Sequence, residues 1–253
     1  MANGTVQSVD KAIRLLNEMA MARRPLTLGE LALRSAYPKS TVHGLLSSLR
    51  QGGLVHQSDQ DGRYSLGVRL FELGSLVRES WNILSQVQPY MQNISIQTGE
   101  SVDLAILDGN ELLIIGHEDA TNNLRVVTTV GARMPLHCTA LGKALLAALT
   151  DTEAKRMIQK EALVSYTPHT LTDASKLINE IAAIRGGASA IENGEYRIGL
   201  RAVASPINTP EGTPRYALAV TGMFNGIETE PFKKAAALVQ RTAEVLSKQY
   251  RNL

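Results

Sequence analysis

Cysteine is almost missing from these 253 residues. Cys138 stands alone, which excludes an intrachain disulfide, cannot by itself make a zinc site, and suits a reducing compartment. Aromatic residues are scarce too, with three Phe, seven Tyr and one Trp, so the cores must be mainly aliphatic. No apolar run approaches the roughly 18 residues that cross a bilayer. Asp10, Lys11 and Arg14 stand where a signal peptide would need its apolar segment, so a cytoplasmic chain without membrane contact is expected. GxGxxG, Walker, HExxH and paired CxxC patterns are absent, which leaves nucleotide, cofactor and metal binding without a motif.

What is present points to two domains. The length is ample for two cores, and 44% apolar with 20% charged residues is an ordinary globular composition. The net charge of +2 hides an asymmetry. Residues 1–80 hold ten Lys and Arg against seven Asp and Glu, and the remainder sixteen against seventeen. No acidic residue lies between Glu30 and Asp59, so a polyanion could approach that stretch without repulsion.

The same stretch has a helix-turn-helix pattern. Val9, Ile13, Leu16 and Ala20 follow one helical face, and the pattern stops before Pro25. Thr27 is suited to cap a second helix with Leu28, Leu31 and Ala32 inward. Pro38 fits the first position of a third helix, where its missing N–H costs nothing. Val42, Leu45, Leu46 and Leu49 give that helix its apolar stripe. Gly52 and Gly53 end it, and Val55, the Asp61-Gly62 turn, Tyr64 and Leu66 read as a hairpin wing.

A recognition helix must show the major groove a short, polar, non-acidic face. Lys39, Ser40 and Thr41 occupy the first turn, where free N–H groups and the helix dipole favour phosphate. His43, Gly44 and Ser47 continue the face toward base edges and sugars, and Arg63 in the wing is placed for the adjacent backbone.

PKSTVHGLLSSLRQGGLV, QDGRYSLG and SVDKAIRLL together resemble the winged helix of the IclR family of bacterial transcription regulators. GARMPLHCTALGKALLA at 131–147 is similar to that family's effector-domain signature, and GLRAVASPI at 199–207 stands where its other signature would. The resemblance implies an α+β protein. Its parts are a winged helix-turn-helix over 1–67, a linker helix over 68–84 and a GAF-like effector-binding domain over 85–253. It also implies double-stranded operator DNA and a small organic acid as partners, no cofactor, and a homodimer or a dimer of dimers. Leu70, Leu73, Val77 and Trp81 form one face of the linker, with Trp81 and Leu84 serving either the domain core or the dimer.

Within 85–253 the pattern predicts a helix over Val87–Thr98, with Pro89 marking a new segment, a hairpin from Val102 to Ile115 turning at Asp108-Gly109-Asn110, and a strand at Val126–Val130. Thr139 caps a helix over Ala140–Leu149, whose free N–H groups at Ala140 and Leu141 make a carboxylate seat. The resemblance adds Glu192, Ala202, Ala219 and Thr221 to that seat. Here the chain departs from relatives, which often carry Asp, Cys and Ser at the first three of these positions. Fewer polar partners argue for a ligand with a larger apolar part than a simple keto acid.

Gly44 is a further departure, because family members usually place arginine there. Either the approximately 1 kcal/mol that glycine costs a helix against alanine is tolerated, or the missing side chain lets the helix lie closer to DNA. The alternative function is a carboxylate sensor with weakened or lost DNA recognition. Catalysis by His137 and Cys138 is disfavoured, since adjacent side chains diverge, and His117 and His169 lack metal-site spacing.

Overall fold

The computed structural model describes residues 5–80, 82–121, 128–160, 162–208 and 216–251. The chain forms two compact units, divided after Asn82.

The first unit begins with α1 (Gln7–Ala22), α2 (Leu28–Ser35) and α3 (Lys39–Gln51). Thr27 caps α2 in a reciprocal box: its hydroxyl accepts from the Glu30 N–H while the Glu30 carboxylate accepts from the Thr27 N–H. The face that α1 buries differs from the expected stripe. Leu15 and Met19 are buried and Leu16 half-buried, whereas Val9, Ile13 and Ala20 are exposed. Two apolar stripes share the helical period here, and the neighbouring one packs on α2 and α3. In α3, Val42, Leu46 and Leu49 are buried and Leu45 half-buried.

Pro38 lies just outside α3 with extended ψ, its carbonyl accepting from the Val42 N–H at 3.0 Å, so it caps the helix rather than opening it. β1 (Val55–Gln57) and β2 (Tyr64–Leu66) form the antiparallel wing, and backbone bonds between Leu26 and Tyr64 attach it to the segment before α2. Tyr64 is buried, but Leu66, at the outer end of the hairpin, is exposed. α4 (Val68–Ser80) follows, with Val68, Phe71, Leu73 and Leu76 exposed.

The second unit opens with α5 (Asn82–Thr98). Pro89 lies inside this helix, as in the expected helix over Val87–Thr98, but the helix starts earlier, at Asn82, so the boundary expected after Leu84 falls within it. Trp81, the expected contact residue, lies outside the described residues. Then come β3 (Ser101–Asp108), β4 (Glu111–Glu118), β5 (Arg133–Pro135), α6 (Ala140–Ala147), α7 (Asp151–Lys160), α8 (Ala174–Arg185), β6 (Ala190–Asn193), β7 (Arg201–Ile207), β8 (Tyr216–Gly222) and α9 (Glu230–Arg251). The expected strand at 126–130 falls partly outside the described residues, and Thr128–Val130 are not strand; the sheet is edged by Arg133–Pro135 instead.

Among the described residues the sheet has six antiparallel strands in the order β5-β4-β3-β8-β7-β6, an α+β domain of GAF-like architecture. α6 packs on one face against alanines 105, 190, 202, 204, 217 and 219, whose small side chains let the helix sit close. Gly142 sharpens that fit. A Cβ there would collide with the Leu136 backbone, so only glycine permits the approach.

Candidate DNA-facing surface and effector seat

On α3, Lys39, Ser40, His43, Gly44 and Ser47 are exposed and point outward, whereas Thr41 is half-buried at the margin of that face. Lys39 makes no ion pair among the described residues. Two further cations stand nearby: Lys11 and Arg14 lie 5.7 and 5.4 Å from the centre of the Tyr37 ring, just before α3. Sequence patterning missed them because they belong to α1 and only folding brings them to Tyr37.

Around Gly44 there is open space. A Cβ at that position would meet nothing within 4 Å, so packing within the chain does not require glycine. Arg63 is less available than its sequence suggests, because it faces Asp61 at 3.3 Å and Glu30 at 3.6 Å. Glu30 is fully ionised at neutral pH. The Thr27 N–H bond and Arg24 hold its carboxyl down at about 2. Arg50 donates to Gln57 Oε1 at 2.7 Å and ties the end of α3 to the wing.

The second unit gathers the other expected residues on one sheet face. Glu192, Ala202 and Thr221 lie opposite one another across β6, β7 and β8, and Ser101 on β3 extends the row. Ala219 belongs to the next row, with Ala204, Asp103 and His117. All are on the side that α6 covers, because rows two residues apart point the same way. At the start of α6 the Thr139 hydroxyl donates to the Pro135 carbonyl at 2.8 Å and accepts from Gly142 N–H at 3.1 Å. The Ala140 and Leu141 N–H groups have no acceptor among the described residues, although both residues are buried.

Three features there were not foreseen. Lys143, 1% exposed, donates to Glu195 at 2.6 Å, Glu180 at 2.7 Å and the Ile191 carbonyl at 3.1 Å. A lysine inside an otherwise apolar helix, TALGKALLA, was the available signal, since buried ammonium groups are paired. Asp103 is buried and binds His117 Nδ1 at 2.7 Å, with further hydrogen bonds from Thr128 and Thr221. Burial pushes the Asp103 carboxyl up while these donors oppose it. His117 is raised by the same bond, so the pair keeps a proton to higher pH than an isolated imidazole. Finally, the Ser101 hydroxyl is buried and has no hydrogen-bond partner among the described residues.

Glu192 is pushed up to about 7, chiefly by burial, and one of its oxygens accepts from the Tyr196 N–H at 3.2 Å. Burial, with Glu195 and Glu192 near, pushes the Cys138 thiol up to about 12, the opposite of what a nucleophile needs. The His137 ring is engaged with the Val164 carbonyl at 3.0 Å.

Both units have counterparts in known proteins. Residues 8–59 match the IclR helix-turn-helix domain, and residues 76–248 match the bacterial transcriptional regulator IclR C-terminal domain. The chain belongs to the IclR family. It is 30% identical over 251 residues to the transcriptional repressor IclR of Escherichia coli K12, covering 98% of this chain and 92% of that one. It is equally 30% identical over 249 residues to the acetate operon repressor of Salmonella typhimurium, covering 98% and 91%. An IclR transcriptional regulator from Alicyclobacillus acidocaldarius superposes with a TM-score of 0.84 at 25% identity, covering 97% of this chain and 99% of that one. The function that membership in the IclR family carries is DNA-binding transcriptional regulation, and both of these curated relatives are repressors. Among the described residues no helix is long and apolar enough to cross a membrane.

Proposed function

We propose that this IclR-family chain is a cytoplasmic, non-enzymatic repressor. It binds a roughly palindromic operator as a homodimer, and a small organic acid bound in the second unit changes that binding. The observation that carries the DNA half is the exposed, acid-free face of α3, with Lys39, Ser40 and Thr41 at its dipole-positive end. His43, Gly44 and Ser47 lie along the groove, and Arg63 contributes once it exchanges its carboxylates for phosphate. The exposed apolar residues of α4, Phe71 at 76% among them, support self-association, in pairs or as a dimer of dimers.

The effector half rests on the N–H groups of Ala140 and Leu141, which find no acceptor among the described residues, at the start of a helix that packs on the sheet carrying Glu192, Ala202, Ala219 and Thr221. An IclR homologue from Microbacterium hydrocarbonoxydans has been solved with 4-hydroxybenzoate, a carboxylate with an apolar ring. A bound acid acts on DNA affinity only through its difference in affinity for the two arrangements of the protein.

Gel shift with DNA from upstream of the neighbouring operon tests the first half. Affinity should fall steeply between about 50 and 200 mM salt, and a flat response would remove phosphate-led binding. Gly44→Arg separates the sensor-only alternative. Tighter, less selective binding would mean that a contact had been lost, and abolished binding would mean that glycine permits close approach. Calorimetry with a panel of carboxylates tests the second half: longer or aromatic acids should bind, and binding confined to glyoxylate or pyruvate would sink the larger-ligand reading.

A further inference from the structure

Three cations at the start of the first unit stand apart from their neighbours. Arg24, Arg34, Arg63 and Arg69 are each held by a carboxylate, at 2.8, 3.0, 3.3 and 2.6 Å. Lys11, Arg14 and Lys39 are held by none among the described residues. The acids of α1 do not serve them: Glu18, one turn after Arg14, is taken by Arg34, and Asp10 makes no ion pair among the described residues. Lys11 and Arg14, three residues apart on one helix, repel each other. What gathers them is an aromatic ring.

Tyr37 stands directly before Pro38, the cap of α3, and two residues before Lys39. Its N–H donates to the Ala32 carbonyl at 3.2 Å, and its half-buried side chain packs against the core that α1, α2 and α3 share. The ring is thereby fixed. Lys11 Nζ lies 5.7 Å and Arg14 Cζ 5.4 Å from its centre, within the range at which the negative face of a ring attracts a cation. A ring orders the two cations without neutralising them, as a carboxylate would, so both charges remain available to an anion.

We propose that Tyr37 is a positioning residue for DNA: it holds Lys11 and Arg14 beside the first turn of α3, where with Lys39 they grip the phosphates that flank the groove. This rests on the DNA reading above. The contact then spans two helices, with bases read by α3 and backbone held by α1. The part held by α1 is blind to base sequence and sensitive to salt.

Fluorescence anisotropy on the full chain tests it with two labelled duplexes of equal length, one from upstream of the neighbouring operon and one of shuffled sequence, between about 50 and 200 mM salt. Lys11→Met and Arg14→Met should each weaken binding to both duplexes alike and lower the slope of log affinity against log salt by about one per bound chain. Tyr37→Leu, which keeps apolar packing and removes the aromatic face, should lose about two- to fivefold in affinity for both duplexes, and Arg14→Met should then cost less than it does beside Tyr37. Tyr37→Phe should bind like the parent, since the face is retained. Tyr37→Met repeats the comparison should leucine unsettle the packing, as melting curves without DNA will show. An unchanged salt slope in both cation variants, a loss confined to the upstream duplex, full affinity in Tyr37→Leu, or a loss in Tyr37→Phe as large as in Tyr37→Leu overturns the inference and leaves DNA binding by α3 standing. Failure of the unaltered chain to bind either duplex removes the DNA reading itself, and the inference with it.

Discussion

Two helices carry a glycine, Gly44 six residues after Pro38 in α3 and Gly142 three after Thr139 in α6, and they use it in opposite ways. α3 presents Gly44 to open space, on a face of exposed polar side chains. α6 is buried at all eight positions, and its Gly142 is where the Leu136 backbone passes. One helix is built to meet something outside the protein, and the other to be a rigid part of it. The difference shows that the same residue type states a functional freedom in one place and a packing necessity in the other.

The largest way to break this contrast is to remove the charge buried in α6. Lys143→Met leaves Glu180 and Glu195 without their cation and should cost about 3–5 kcal/mol in urea unfolding. Lys39→Met on α3 should stay within about 0.5 kcal/mol and show its effect in DNA affinity instead.

Next comes Glu192. Its folded pKa, about 7, lies above the ordinary 4.5, so the native state holds the proton more tightly than the unfolded chain. The stability linked to it is present in full below about 4.5 and is lost as pH rises through about 7. The loss is on the order of 3 kcal/mol at about 1.36 kcal/mol per pH unit. Melting curves across that window should flatten in Glu192→Gln; an unchanged pH slope would show that another group carries it.

The glycines themselves give the smaller effects. Gly142→Ala should destabilise by about 1–3 kcal/mol or more, because backbone has to move. Gly44→Ala should stabilise by up to about 1 kcal/mol, the difference in helix propensity, in thermal unfolding without DNA. A destabilising Gly44→Ala would erase the contrast.

Sequence reading reached α3 readily because its stripe and polar face are a local pattern: Val42, Leu46 and Leu49 are buried in the expected phase. Where two patterns shared a period it could not choose, and α1 packs by Leu15 and Met19 instead of Val9 and Ile13. The expected start of α5 is too late, with Pro89 marking a new segment, for a different reason. A proline interrupts a helix only at the bond it cannot donate, and α5 has enough packing through Ile83, Val87, Met91 and Ile94 to continue past it. Glu192, Ala202 and Thr221 came to one row through the family resemblance, not through pattern. Ser101, Asp103 and His117 stayed invisible because strand register, set by long-range pairing, decides who stands beside whom.

Gly44 has one more consequence. A site whose neighbours are all solvent can exchange its side chain at the cost of helix propensity alone, so which operators are recognised can drift while the protein stays folded. The row of Ser101, Thr221, Ala202 and Glu192 has no such latitude, because strand pairing sets these residues side by side and all four are buried. On α3 a single substitution can therefore change the outward face, while the buried rows of the second unit change only with repacking.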